Sequence, residues 1–152
     1  MKIIPYSEKY KKPTVKLILG ILENEFHAFG KDRPDLLKIS EIYQVNKGNF
    51  WIAVEKEKVV GTIGLRDYGN NRGYLKRMYV DKSFRGTGLA SELLYTLVKF
   101  AKKNNYKEIF LTTFETMIAA NKFYSKMGFK RIDSLPEDMP SFGDTVFYKI
   151  GL

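Results

Sequence analysis

The sequence of 152 residues has no cysteine and only one histidine, His27. Without cysteine there can be no disulfide framework, no thiolate zinc site and no thiol nucleophile. One histidine excludes a multi-histidine metal site, and no Gly-x-Ser-x-Gly turn accompanies it to suggest a serine triad. No run approaches the ~18 apolar residues of a membrane span. The opening residues Met1–Glu8 lack the apolar core of a secretion signal. The expectation is a soluble, cytoplasmic protein with no metal and no membrane partner.

What the sequence does have is apolar mass and positive charge. Hydrophobic residues make up 44% and aromatic residues 14%, enough for one domain, residues 1–152, to bury a core. The net charge is +9, and it is unevenly spread. Nine bases and two acids lie between Arg72 and Lys107, whereas charges elsewhere nearly balance. Lys99, Lys102 and Lys103 fit a solvated helix face, but the excess also suits a polyanion, either nucleic acid or a phosphorylated cofactor.

The periodicity changes along the chain. Lys2–Tyr6 suits a short strand. Pro13-Thr14 opens a helical pattern to about Gly30, and Pro34-Asp35 opens a shorter one to about Val45. Strands follow at Phe50–Val54, Val59–Tyr68 and Gly73–Val80, an antiparallel meander with turns at Glu55–Lys58 and Gly69–Arg72. Then come a long helix (Gly86–Asn104), a strand (Tyr106–Thr113), a helix (Thr116–Met127), a strand (Phe129–Asp133), a loop (Leu135–Gly143) and a last strand (Thr145–Ile150). Hairpins alternate with crossovers, which predicts an α/β (α+β) fold: a mixed, mostly antiparallel sheet with helices on both faces.

The most informative segment joins Val80 to the long helix: Asp81-Lys82-Ser83-Phe84-Arg85-Gly86-Thr87-Gly88-Leu89-Ala90. A helix N-terminus offers unpaired amides at the positive end of its dipole, and a phosphate there satisfies both. Gly86 and Gly88 would let it approach, and Arg85 adds a forked donor. On glycine spacing alone, a turn that merely redirects the chain serves equally well. A dinucleotide fingerprint matches less well, with Ser91 at its sixth position, and Gly-Lys-Ser/Thr is absent.

A second motif follows, Asn121-Lys122-Phe123-Tyr124-Ser125-Lys126-Met127-Gly128-Phe129. The pair resembles the GNAT superfamily of acyl-CoA-dependent N-acetyltransferases. Arg85–Ala90 looks like its Q/R-x-x-G-x-G/A signature, Asn121–Phe129 like its N-x-x-F-Y-x-K-x-G-F segment, and Leu75–Val80 like its central strand. The resemblance is strongest over residues 73–133. It implies a sheet splayed between the fourth and fifth strands, with the pantetheine arm of acetyl-CoA in the gap against the backbone of Met78, Tyr79 and Val80. The diphosphate would rest on Arg85, Gly86, Thr87, Gly88, Leu89 and Ala90. Asn121 would help hold the cofactor, and Tyr124 would stand near its sulfur as general acid.

The reaction so implied is direct attack of a primary amine on the thioester, with no covalent enzyme intermediate. An amide near Val80 would stabilise the oxyanion. The resemblance implies a glutamate base near the start of the central strand, where this sequence has Tyr74, so the base stays open among Glu115, Glu25, His27 and an ordered water. Two rival readings remain: a non-catalytic acyl-CoA-binding module and, more weakly, a basic nucleic-acid-binding protein. The acceptor amine is not legible, and a homodimer would be unsurprising.

Overall fold

The computed structural model describes residues 1–28 and 32–152. Strand β1 (Lys2–Pro5) leads through a 3₁₀ turn to helix α1 (Lys11–Glu25). Short helices α2 (Pro34–Leu37) and α3 (Ile39–Tyr43) follow, then β2 (Asn49–Glu55), β3 (Lys58–Asp67) and β4 (Arg72–Val80). Helix α4 (Leu89–Lys103) crosses to β5 (Glu108–Thr113), and α5 (Ile118–Lys126), β6 (Lys130–Ile132) and β7 (Val146–Gly151) complete the chain. The seven strands form one sheet in the order β1-β2-β3-β4-β5-β7-β6. Only β4 and β5 run parallel, as their helical crossover requires.

The α1 helix starts two residues before the expected Pro13, which still lies in the first turn where its missing N–H leaves no bond unmade. The helix ends at Glu25, with residues 26–28 outside it, so it stops short of the expected end near Gly30, a position that itself lies outside the described residues. The predicted helix over 34–45 is instead two pieces, broken at Lys38 (φ −138°, ψ 51°). The break lets the Tyr43 hydroxyl donate to Asp35 at 2.8 Å. Eight residues of unbroken helix would separate the two by about 12 Å along the axis.

The sheet has a core on each face. Leu89, Leu93 and Leu97 of α4 and Tyr124 and Phe129 pack on Trp51, Ile63, Leu65 and Leu75. On the other face Ile18, Leu36, Ile39 and Tyr43 pack on Phe50, Ile52 and Val59. A smaller cluster, Tyr74, Phe110 and Met139, lies under the 135–143 loop. Among the described residues no helix is long and apolar enough to cross a membrane.

Candidate functional site

The sheet opens beside β4. Strands β4 and β5 pair at only three positions, Arg72↔Glu108, Gly73↔Ile109 and Tyr74↔Phe110. Beyond Tyr74, β5 stays with β7 as far as Thr113↔Val146, while β4 stays with β3 as far as Val80↔Gly61. A bulge helps part them: the register jumps from Gly64↔Lys76 to Thr62↔Tyr79, with Arg77 at φ 54°. An extra residue on one strand bends it and sharpens its twist. The Thr62 hydroxyl donates to the Arg77 carbonyl at 2.7 Å and holds the bulge.

At one end of this opening lies the turn into α4. Gly86 (φ 79°) and Gly88 (φ 91°) both occupy left-handed conformations. A Cβ at either would meet nothing within 4 Å, so backbone conformation rather than space within the protein is what requires glycine. Asp81 accepts from the Ser83 amide and hydroxyl, and these two bonds, amide first, hold its carboxyl below the usual range. The Thr87 hydroxyl donates to the Phe84 carbonyl. Among the described residues no hydrogen bond uses the amides of Gly86, Thr87, Gly88, Leu89 or Ala90. They are donors at the positive end of a fifteen-residue helix, which fits a diphosphate.

Arg85 is already engaged. Its guanidinium forms a two-pronged ion pair with Glu25 (2.6 and 2.8 Å) and donates from Nε to the Val80 carbonyl at 3.1 Å. Its amide donates to Lys82. The expected forked donor for phosphate is therefore a clasp between α1 and the end of β4. The same bond takes up one of the backbone groups expected to meet the pantetheine arm.

The second motif reaches the opening from the other side. Tyr124 is buried at 7% exposure, and its hydroxyl donates to the Met78 sulfur at 3.3 Å. Burial, and then the field of Tyr79, push its phenol well above the ordinary value, so it keeps its proton throughout the neutral range. Asn121 accepts from the Thr113 and Tyr148 hydroxyls and donates to the Phe114 carbonyl at 3.0 Å. It ties α5 to β5 and β7, with one amide hydrogen left over.

The candidate bases are dispersed. Glu115 is exposed and paired with Arg131, and Glu25 belongs to Arg85. His27 is exposed, in a left-handed conformation just beyond α1. Tyr74, at 1% exposure, donates to the Pro140 carbonyl at 2.6 Å. Burial raises it to about 12, which makes it an anchor for the 135–143 loop rather than a base.

Sequence reasoning missed a network on the opposite face. Arg77 meets Asp35 through two bonds of 2.8 Å, and Tyr43 completes the carboxylate's partners. Burial pushes the Asp35 carboxyl up, but the Arg77 fork and Tyr43 outweigh it and hold it low. Beside this network sits Lys76, with its Nζ 4.7 Å from the Tyr74 ring centre and 3.7 Å from that of Phe142. Two adjacent bases in an otherwise apolar strand were the signal in the sequence.

Residues 17–129 match the model of the acetyltransferase (GNAT) family. N-acetylaspartate synthetase from Xenopus tropicalis is 39% identical over 119 residues, 77% of this chain and 42% of that protein. N-acetyltransferase 8B from Homo sapiens is 34% identical over 105 residues, 65% of this chain and 46% of that protein. The chain spans less than half the length of these two curated relatives. A GNAT-family acetyltransferase from Staphylococcus aureus Mu50 superposes with a TM-score of 0.92 at 37% identity, over 99% of this chain and 98% of that one. The PaiA N-acetyltransferase of Thermoplasma acidophilum, solved with coenzyme A, shares the fold at a TM-score of 0.81 and 17% identity, over 99% and 98% of the two chains. The chain belongs to the GNAT acetyltransferase family, whose acyl donor is acetyl-CoA.

Proposed function

We propose that this protein moves an acetyl group from acetyl-CoA to a primary amine by direct attack, without a covalent enzyme intermediate. One observation carries the reading: the sheet opens between β4 and β5, with unpartnered amides at its α4 end and a buried, protonated phenol inside. Amides from Gly86 to Ala90 would take the diphosphate, and the free edge of β4 at Met78 and Tyr79 would align the pantetheine arm. When bound, acetyl-CoA supplies the activated acyl group; everything else is the work of the protein's own groups.

An amide near Val80 would answer negative charge developing on the carbonyl oxygen. Tyr124 is our general acid, and its elevated pKa defines how it acts. A free thiol ionises near 8.5, so complete transfer from this phenol to a thiolate runs uphill. Its contribution is a donated hydrogen bond that strengthens as charge builds on the departing sulfur. Asn121 would keep α5, and with it Tyr124, in place. With Glu115 and Glu25 both ion-paired, an ordered water is the base that this arrangement favours.

A second reading, an acyl-CoA-binding module without turnover, is favoured by Tyr74, a buried tyrosine bonded to Pro140, standing where the family resemblance implies a glutamate. Thiol release from acetyl-CoA, followed with a panel of amines, decides between them. Release that depends on the amine supports transfer, whereas tight binding of acetyl-CoA with no release on any amine supports the module. No affinity for coenzyme A in calorimetry would remove both. We also propose a cytoplasmic location, which fits a sequence without cysteine.

A further inference from the structure

Lys76 is a half-buried ammonium at the edge of the opening, and among the described residues it has no ion-pair partner. It lies two residues beyond the last β4–β5 pair, Tyr74↔Phe110, where β4 has just left its neighbour. Its register partner is Gly64, a position that faces Phe50 and Tyr43. Lys76 therefore projects to the α1–α3 side, while Met78 and the Tyr124 hydroxyl lie on the α4–α5 side.

Three arginines of the same region have a carboxylate: Arg72 has Asp138, Arg77 has Asp35 and Arg85 has Glu25, whereas Arg66 lies over the Tyr68 ring. No described carboxylate comes within salt-bridge distance of Lys76, and Asp35 and Asp144 reach it only through their fields. Its contacts are the faces of Tyr74 and Phe142, which compensate a cation by only about 0.5–2 kcal/mol. Burial first, and then the field of Arg77, bring its pKa down to about 8. A partly desolvated charge without an ion-pair partner costs stability, and this one lies where β4 leaves β5.

We propose that the acceptor is a small amine bearing a carboxylate, and that Lys76 binds that carboxylate. The inference rests on the acetyltransferase reading. Lys76 and Met78, against which the Tyr124 hydroxyl rests, stand on either side of the bulge at Arg77. An amino acid held by its carboxylate at Lys76 would thus extend its amine into the opening. Phe142, exposed and at φ 56°, covers the ammonium from a loop fastened by Arg72–Asp138 and by Tyr74 to Pro140. A polyamine would meet like charge here.

The test compares each acid with its matched amide. Thiol release is followed with L-aspartate, L-asparagine, L-aspartate α-amide and 1,5-diaminopentane. The two amides separate an α-carboxylate from a side-chain carboxylate as the group held. A free-acid acceptor should have a KM lower than its amide by about tenfold to a hundredfold, the worth of a hydrogen bond to a charged group, with a smaller difference in kcat. Lys76→Met should lose most of that preference and Lys76→Arg should keep it.

A preference for the diamine or the amides overturns the proposal, as does a preference for the acid that is equal in wild type and Lys76→Met. The wild-type comparison stands even where a variant folds poorly. If no amine releases thiol, the acetyltransferase reading is what fails. Titration of N-acetyl-L-aspartate and its diamide into protein with coenzyme A then still reads Lys76. Preference for the acid, lost in Lys76→Met, supports the site; equal or absent binding overturns it.

Discussion

The two ends of the opening in the sheet are built on opposite plans. At the α4 end the working groups are backbone amides, presented by a turn whose own side chains are folded inward: Asp81 on Ser83, Thr87 on Phe84, Arg85 on Glu25. At the α2–α3 end they are side chains that meet only in the folded chain: Asp35, Tyr43, Lys76, Arg77 and Phe142. An amide site tolerates side-chain change as long as the backbone keeps its shape. A charge network depends on every member.

The largest expected effect is at the side-chain end. Arg77→Met leaves the half-buried Asp35 carboxylate with Tyr43 but no counter-charge and should destabilise the fold by about 3 kcal/mol in urea unfolding, the lower end for a broken buried pair. The double variant Arg77→Met with Asp35→Leu should recover much of that loss. A loss in the double variant equal to that of the single would show that the pair is not the source. Tyr124→Phe comes next: turnover should fall by about a hundredfold, at the lower end for a proton donor, with coenzyme A affinity changed far less. Unchanged turnover removes Tyr124 from the chemistry.

At the amide end, Gly88→Ala keeps every contact but forces a Cβ into a left-handed conformation (φ 91°), where open space offers no clash. The cost should be about 1–2 kcal/mol, with weaker coenzyme A binding if the turn shifts. Affinity unchanged at lowered stability would dissociate the turn from the phosphates.

Lys76 gives a prediction of opposite sign. Its folded pKa of about 8 lies below the ordinary lysine value of 10.5. Between those values the unfolded chain binds more protons, so stability rises with pH across that window and the cost is fully present below it. The groups setting the value are Arg77 and Arg66, which lower it, and Asp35 and Asp144, which raise it. Lys76→Met should stabilise the protein at pH 7 and flatten that rise, even as acceptor discrimination falls. Destabilisation by this variant would mean that the aromatic contacts outweigh the desolvation. The smallest effect is expected at the exposed pair: Glu115→Gln should leave stability nearly unchanged and leave turnover intact. A large loss of turnover would return Glu115 to the candidates for base.

The element order was legible because it rests on local periodicity and local breakers. Glu55–Lys58 closes a hairpin with Lys56 and Glu57 both at positive φ, as a charged two-residue turn should. The strand–glycine turn–α4 unit was legible for the same reason, since helix starts and glycine conformations are written within a few residues. The broken helix at Lys38 was not, because the break serves a bond from Tyr43 to Asp35 and thence to Arg77, forty-two residues from Asp35. The ion pair of Arg85 was hidden in the same way: its partner Glu25 is sixty residues away.

By itself the sequence determined the strands, the helices and the glycine turn into α4, because hydrophobic period and backbone conformation are properties of short windows. It also carried the paired motifs that point to one family. Only the tertiary structure decided which charges are answered and which are not. The β3–β4 register creates the bulge at Arg77 and the parting of β4 from β5. Pairing across the fold gives Arg77 and Arg85 their carboxylates and, among the described residues, leaves Lys76 against the rings of Tyr74 and Phe142. A charge's worth is set by what lies within a few ångströms of it in space, and only folding decides that neighbourhood.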